Sequence, residues 1–337
     1  VALPRVMSMR RFVLLAAFGL VAACNKPHFT APLPLAGGKS VAPEVLNDGR
    51  EAYLHYCAAC HGDKGDGQGP AAAGMRPPPR DFRPALFKFG MVEVGQLPND
   101  EDLVELIGRG LDGTPMLPWD ITERERFAMV QYLKTFSDRW KTEAPGERIA
   151  VAPDPWKGRE AEAVEVGKRI YHLSGVEKDE TGAMKYVLAG CGSCHPAYIT
   201  RAEIRALSAK YGASGAISDE MYRPSLKASE YTVGEHPLQI LPIDFLFHRP
   251  KNGSSPEQLY RTIASGIAGA AMPTWKGILN DEGLWALAHY VKSLADLRGT
   301  PRALALRQAL ANQPADEPPA PAPEEPAPAA KKPRAKK

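Results

Sequence analysis

Short amphipathic patterns at helical spacing alternate along this chain with long stretches rich in glycine and proline. From Gly49 to Tyr56 the pattern predicts a helix that runs directly into a pair of cysteines. A second helix is predicted from Asn99, with Leu103, Val104, Leu106 and Ile107 on its apolar side. Asn99 is a candidate N-cap, Asp100, Glu101 and Asp102 complement the dipole, and Gly108 and Gly110 end it. A third opens at the capping box Thr122-x-x-Glu125 and turns Phe127, Val130, Leu133 and Phe136 inward.

The same order then recurs. Gly167 and Tyr171 repeat Gly49 and Tyr53, and Leu259 to Gly266 repeats Leu103 to Gly110 behind a capping box at Ser255 with Pro256 at its first helical position. Trp285 to Val291 repeats the third helix. Pro145, Pro153 and Pro155 mark a linker between the copies. The second copy departs from the first in two places: Tyr171 stands much further from Cys191 than Tyr53 does from Cys57, and a long segment from Pro196 to Leu241 precedes Pro242-Ile243-Asp244-Phe245, the counterpart of Pro79-Arg80-Asp81-Phe82. Past Leu297 the chain falls into Pro/Ala/Glu repeats with little to bury, which predicts a disordered tail.

Both copies contain a Cys-x-x-Cys-His run, Cys57 to His61 and Cys191 to His195, far enough apart for each to lie in a domain of its own. This is the attachment signature of c-type haem: two thiols on one helical turn can add to the two vinyl groups of one porphyrin, with the adjacent imidazole aimed at the iron. Zinc or a redox dithiol is the rival reading, but a closed zinc site needs four ligands, and neither run has a second ligand pair nearby. The chain has five cysteines, of which these are four, so no pair is left for a structural disulfide.

With these residues the sequence resembles class I c-type cytochromes, in which an N-terminal helix carrying a glycine, with an aromatic four residues later, crosses a C-terminal helix. Gly49 and Tyr53 fit those positions, with Tyr132 set to meet them. The resemblance implies a mainly α fold of two tandem cytochrome c domains with long loops. The expected boundaries are a leader at 1–23, a flexible tether at 24–45, domain 1 at 46–142, a linker at 143–162, domain 2 at 163–298 and the tail at 299–337. It also implies two covalently bound haem c groups, on Cys57 and Cys60 and on Cys191 and Cys194, with His61 and His195 as proximal iron ligands. The glycine-rich loop from Gly62 to Pro70 is expected to wrap the first proximal side, the carbonyl of Pro70 accepting from His61. Met116, downstream of His61, and Met272, downstream of His195, fall on the loop before the last helix of each copy, where this family delivers its distal methionine. Met75 and Met91 compete for the first iron, and Met221, His236 and His248 for the second. His55, His172 and His289 are expected to be surface or packing residues.

The remaining cysteine, Cys24, ends a segment with Arg10 and Arg11 before an apolar core from Phe12 to Ala23, too short to span a bilayer. Val21-Ala22-Ala23-Cys24 resembles a bacterial lipobox, which implies acylation of Cys24; an ordinary cleaved export signal is the alternative. Without the three arginines of the leader and the five basic and four acidic residues from Pro314 onward, 34 basic residues stand against 35 acidic ones, so no nucleic-acid footprint is expected. The expected function is single-electron transfer between respiratory partner proteins by a lipid-anchored protein on the periplasmic side of a bacterial membrane, with no catalytic residues. A di-haem peroxidase, or a haem subunit of an oxidase, dehydrogenase or reductase, is the alternative.

Overall fold

Each half is built on one close crossing of two helices, and the crossing point is a glycine. A computed structural model of the chain describes residues 26–214, 229–233 and 236–314. In chain order, a small hairpin of β1 (Leu33–Pro34) and β2 (Ser40–Val41) precedes α1 (Pro43–Tyr56) and the single turn α2 (Ala58–His61). Then come α3 (Asp100–Arg109), α4 (Glu123–Leu133) and α5 (Arg139–Thr142). The second half opens with α6 (Glu160–His172), followed by the hairpin of β3 (Ser174–Lys178) and β4 (Met184–Ala189), then α7 (Arg201–Tyr211) and the hairpin of β5 (Ser229–Val233) and β6 (His236–Ile240). It ends with α8 (Pro256–Ser265), α9 (Asp281–Leu297) and α10 (Pro301–Ala311). The chain is therefore mainly α, with two helical units in tandem.

In the first unit α1 crosses α4 at Gly49, where an added Cβ would lie 2.0 Å from the Ala128 carbonyl oxygen and 3.0 Å from Tyr132 Cβ. In the second, α6 crosses α9 at Gly167, with 2.1 Å to the Ala286 oxygen and 2.7 Å to Tyr290 Cβ. Only glycine lets the two backbones approach this closely. The aromatic one turn further on then does equivalent work in both units: Tyr53 packs on Tyr132 and donates to the Gly62 carbonyl (2.7 Å), and Tyr171 packs on Tyr290 and donates to the Pro196 carbonyl (2.9 Å). Each crossing is thereby tied to the residue that follows the motif histidine.

The predicted capping boxes at Thr122 and Ser255 form, and a third at Thr200 starts α7. His55 is exposed, as a surface residue should be. His172 is a packing residue: its Nδ1 donates to the Lys168 carbonyl, its Nε2 accepts from Tyr198 N, and burial pushes it down to about 4, which keeps it neutral. His289 pairs with Asp154 at 2.8 Å.

Three segments depart from expectation. The stretch expected as a free tether is docked from its described start: Phe29 packs on Tyr132, and Asn47 accepts from its amide and donates to its carbonyl. The linker is also packed, because its bulky residues have partners in both units. Gly146 N donates to the Leu97 carbonyl and Ile149 N to the Met91 carbonyl, while Trp156 is buried and donates to the Glu282 carbonyl. The expected tail begins with an ordered helix, α10, capped by Thr300 with Pro301 behind it and burying Ala303 and Leu310. Cys24, Met221 and residues 315–337 lie outside the described residues.

Candidate haem-binding sites

Cys57 ends α1, and the turn α2 carries Cys60 and His61 because the amides of Cys60 and His61 both return to the Cys57 carbonyl, at 3.1 and 2.9 Å. The second motif folds in the same way, with Cys194 and His195 returning to the Cys191 carbonyl at 3.0 and 2.8 Å. Burial pushes the Cys57 and Cys191 thiols up to about 12, which keeps them as thiols rather than thiolates.

Each histidine is aimed by a backbone acceptor. His61 Nδ1 donates to the Arg80 carbonyl at 3.0 Å, and His195 Nδ1 donates to the Ile243 carbonyl at 3.1 Å. The expected acceptor, Pro70, is not used. The glycine-rich loop instead folds back on the motif, Gly69 N donating to the Cys60 carbonyl and Ala71 N, just beyond the loop, to the Ala59 carbonyl. With Nδ1 bonded, Nε2 is the nitrogen left to meet a metal. Burial lowers the pKa of both histidines, favouring the neutral, ligating form. Phe82 stacks on His61 (4.5 Å between ring centres) and Phe245 on His195 (5.4 Å), and both phenylalanines follow the acceptor by two residues.

The two methionine loops share one turn. Leu111 N donates to the Met116 carbonyl at 2.8 Å and Ile267 N to the Met272 carbonyl at 3.1 Å. At the end of the preceding helix stand Gly110 and Gly266, both at positive φ, where a Cβ would strike the loop backbone at 2.6 and 2.5 Å. Met116 packs against the core that also holds Cys57 and Phe82, and Met272 against the core that holds Cys191 and Ile243. Tyr56, next to Cys57, touches Trp119, three residues beyond Met116 (5.5 Å). Of the rivals, Met91 is bound through its backbone to the linker and His248 is exposed, while the side chain of His236 lies outside the described residues.

These residues fit a haem. A thiol pair on one turn, a neutral imidazole with its far nitrogen free and a thioether against the same apolar core form the donor set of a covalently held His/Met iron porphyrin. Arg80, whose carbonyl anchors the first histidine, has its guanidinium nitrogens buried. Among the described residues there is no group of three or more His, Cys, Asp or Glu that could hold a metal ion. Sequence reading missed Arg80 and Ile243 as acceptors, although the shared Pro-x-Asp-Phe pattern was a usable signal.

No curated protein sequence matches the chain. Among solved structures, a chain of the Kuenenia stuttgartiensis reducing HAO-like protein complex is similar, at 29% identity and a TM-score of 0.54 over 73% of this chain and 95% of that one. The family model described as cytochrome c oxidase, cbb3-type, subunit III matches residues 44–133 and 177–291, one stretch around each candidate site and more than half of the chain. With that match, and with the haem-type donor set in both units, the chain belongs to this cytochrome c family and is an electron-transfer protein carrying covalently bound haem c.

Proposed function

We propose that the chain is a di-haem cytochrome c that carries single electrons between respiratory partner proteins, tethered to the periplasmic side of a bacterial membrane through an acylated Cys24. Cys57 and Cys60 would hold one haem and Cys191 and Cys194 the other, with His61 and Met116, and His195 and Met272, as axial ligands. The observation that carries this reading is the repetition of one scaffold, acceptor carbonyl, stacked phenylalanine and methionine turn, around both motifs. Haem c bound there supplies one-electron exchange between ferric and ferrous iron. The chain's residues would anchor the group, orient the imidazoles and close the sixth position, which would leave outer-sphere transfer as the chemistry. Intact mass should exceed the processed polypeptide by two haem units, with haem stain surviving denaturing gels; one haem, or none, contradicts the reading.

Anchoring is tested separately. A lipoprotein terminus supplies the more than one acyl chain that stable membrane binding needs. An exported Cys24→Ser protein should therefore move from the membrane to the soluble periplasmic fraction, and unchanged fractionation would remove the tether.

A second reading has its own support. The family's description is that of an oxidase subunit, and the similar Kuenenia chain is part of a complex. A haem subunit fixed within a larger redox assembly would dock through the apolar residues Leu117 and Trp119, exposed beside Met116. Co-purification from gently solubilised membranes at fixed stoichiometry would favour it over a free carrier.

A further inference from the structure

The Met116 loop is held from two sides, and one of them belongs to the other unit. Within its own unit, Leu111 N donates to the Met116 carbonyl at 2.8 Å, and Met116 N donates to Thr114 Oγ1 at 3.1 Å. The next amide crosses between units: Asp112 N donates to the Lys251 carbonyl at 3.0 Å. Arg109, the last residue of α3, crosses too, its guanidinium donating to Asn252 Oδ1. The second unit therefore pins the chain on both sides of Gly110 and Leu111, where the Met116 turn begins.

Asn252 is built as a fixed post. Its side chain is buried, and its other end is occupied: Nδ2 donates to Thr262 Oγ1 at 2.8 Å, and that hydroxyl donates to the Gln258 carbonyl at 2.9 Å, both on α8. A buried amide used at both ends cannot swing away without leaving polar atoms unpaired. Arg109 is half-buried, and the Gly110 carbonyl at 3.4 Å and Glu105 at 3.8 Å lie further from its guanidinium. In the reverse direction the first unit meets the Met272 loop through backbone, Val94 N donating to Thr274 Oγ1 at 2.9 Å. A side-chain post thus reaches from the second unit to the base of the first unit's methionine loop.

We propose that Asn252 is a positioning residue for Met116: from the second unit it fixes the end of α3, and so sets how firmly the first haem keeps its sixth ligand. This deepens the reading of Met116 as that ligand and depends on it. A loop held at its base keeps the thioether in the place from which it can bind iron. A loop freed there spends more time elsewhere, and a competing ligand gains by the same factor.

The test is a titration of the full-length, haem-loaded, oxidised protein with imidazole, followed through the near-infrared charge-transfer band of a methionine–ferric iron bond. Met116→His comes first and identifies the first haem as the share of that band it removes; an unchanged band means that Met116 is not the ligand, which defeats the underlying reading whatever Asn252 does. Asn252→Ala should then raise the imidazole affinity of the first haem roughly tenfold, as expected for losing a hydrogen bond to a charged group, and leave the second haem unchanged. Asn252→Asp keeps an oxygen for Arg109 and should restore the unmodified affinity. Thr262→Val removes only the bond inside the second unit and should leave the first haem as it was. Amide hydrogen exchange across residues 110–117 should quicken in Asn252→Ala and not in Thr262→Val. An unchanged first haem, a shift confined to the second haem, or an equal shift in Thr262→Val overturns the proposal. If Asn252→Ala fails to load both haems, Arg109→Met, which leaves the bonds within the second unit in place, is read against the same outcomes.

Discussion

Carbon monoxide is expected to bind the reduced Met272→Ala protein close to stoichiometrically, and the reduced unmodified protein negligibly. Met272 sits on a turn closed by Ile267 N, behind a glycine whose replacement would strike the loop, so the thioether is held against the second core rather than left to wander. In the proposed coordination, removing it would open the sixth position, and His248, the rival whose side chain is described, is exposed. Peroxide turnover must be measured on oxidised and half-reduced protein alike, because a di-haem peroxidase can release a ligand after one haem is reduced. Rapid turnover by the unmodified half-reduced protein would overturn the carrier reading. Unchanged coordination in Met272→Ala would pass the ligand role to His248, His236 or Met221.

The second large effect falls on the helix crossings. Gly167→Val would place its Cβ about 2 Å from the Ala286 carbonyl oxygen, and backbone, unlike a flexible side chain, cannot step aside. Prying α6 from α9 should cost about 3 kcal/mol or more, the upper end for overpacking. That corresponds to a fall in Tm of roughly 6–12 °C for a unit of about 150 residues, with haem incorporation at the second site reduced. Gly49→Val should do the same to the first unit. Thermal melts followed at each haem's absorbance would check this, and unchanged melting would mean that the crossings tolerate a wider spacing.

What the sequence made legible was the chemistry that depends on local spacing. The two haem motifs, the glycine-aromatic pairs Gly49/Tyr53 and Gly167/Tyr171, the capping boxes and the methionine loops each occupy a few adjacent turns, and each appears where the pattern put it. The histidine acceptor was misread because it is a tertiary choice. Pro70 is near His61 in sequence, but the chain reaches Arg80 before a carbonyl can face the imidazole. The hairpins β3–β4 and β5–β6 were not anticipated because they fall in insertions with no counterpart in the first unit. The N-terminal segment and the linker look like spacers by their proline content, yet Phe29 and Trp156 pack against the units and backbone bonds from Phe29, Gly146 and Ile149 add to the hold. The tail was judged by its composition past 315, and the capped stretch at Thr300 was submerged in that average.

Asp81 and Asp244 occupy the same post, one residue after the carbonyl that holds the histidine, but they are secured from very different distances. Asp81 is gripped by Arg83, two residues along, through its backbone and guanidinium. In the second unit that position is Leu246, and the guanidinium comes from Arg307 on α10, which also lies over Phe247. During synthesis, then, the first unit can fasten its histidine anchor as soon as the anchor segment itself exists. The second can hold Asp244 through Leu246 N and the Tyr198 hydroxyl, but it gains its guanidinium only when the chain has grown through α8 and α9 and on to Arg307. A protein cut before α10 would keep every candidate haem-binding residue while losing the one guanidinium that grips Asp244.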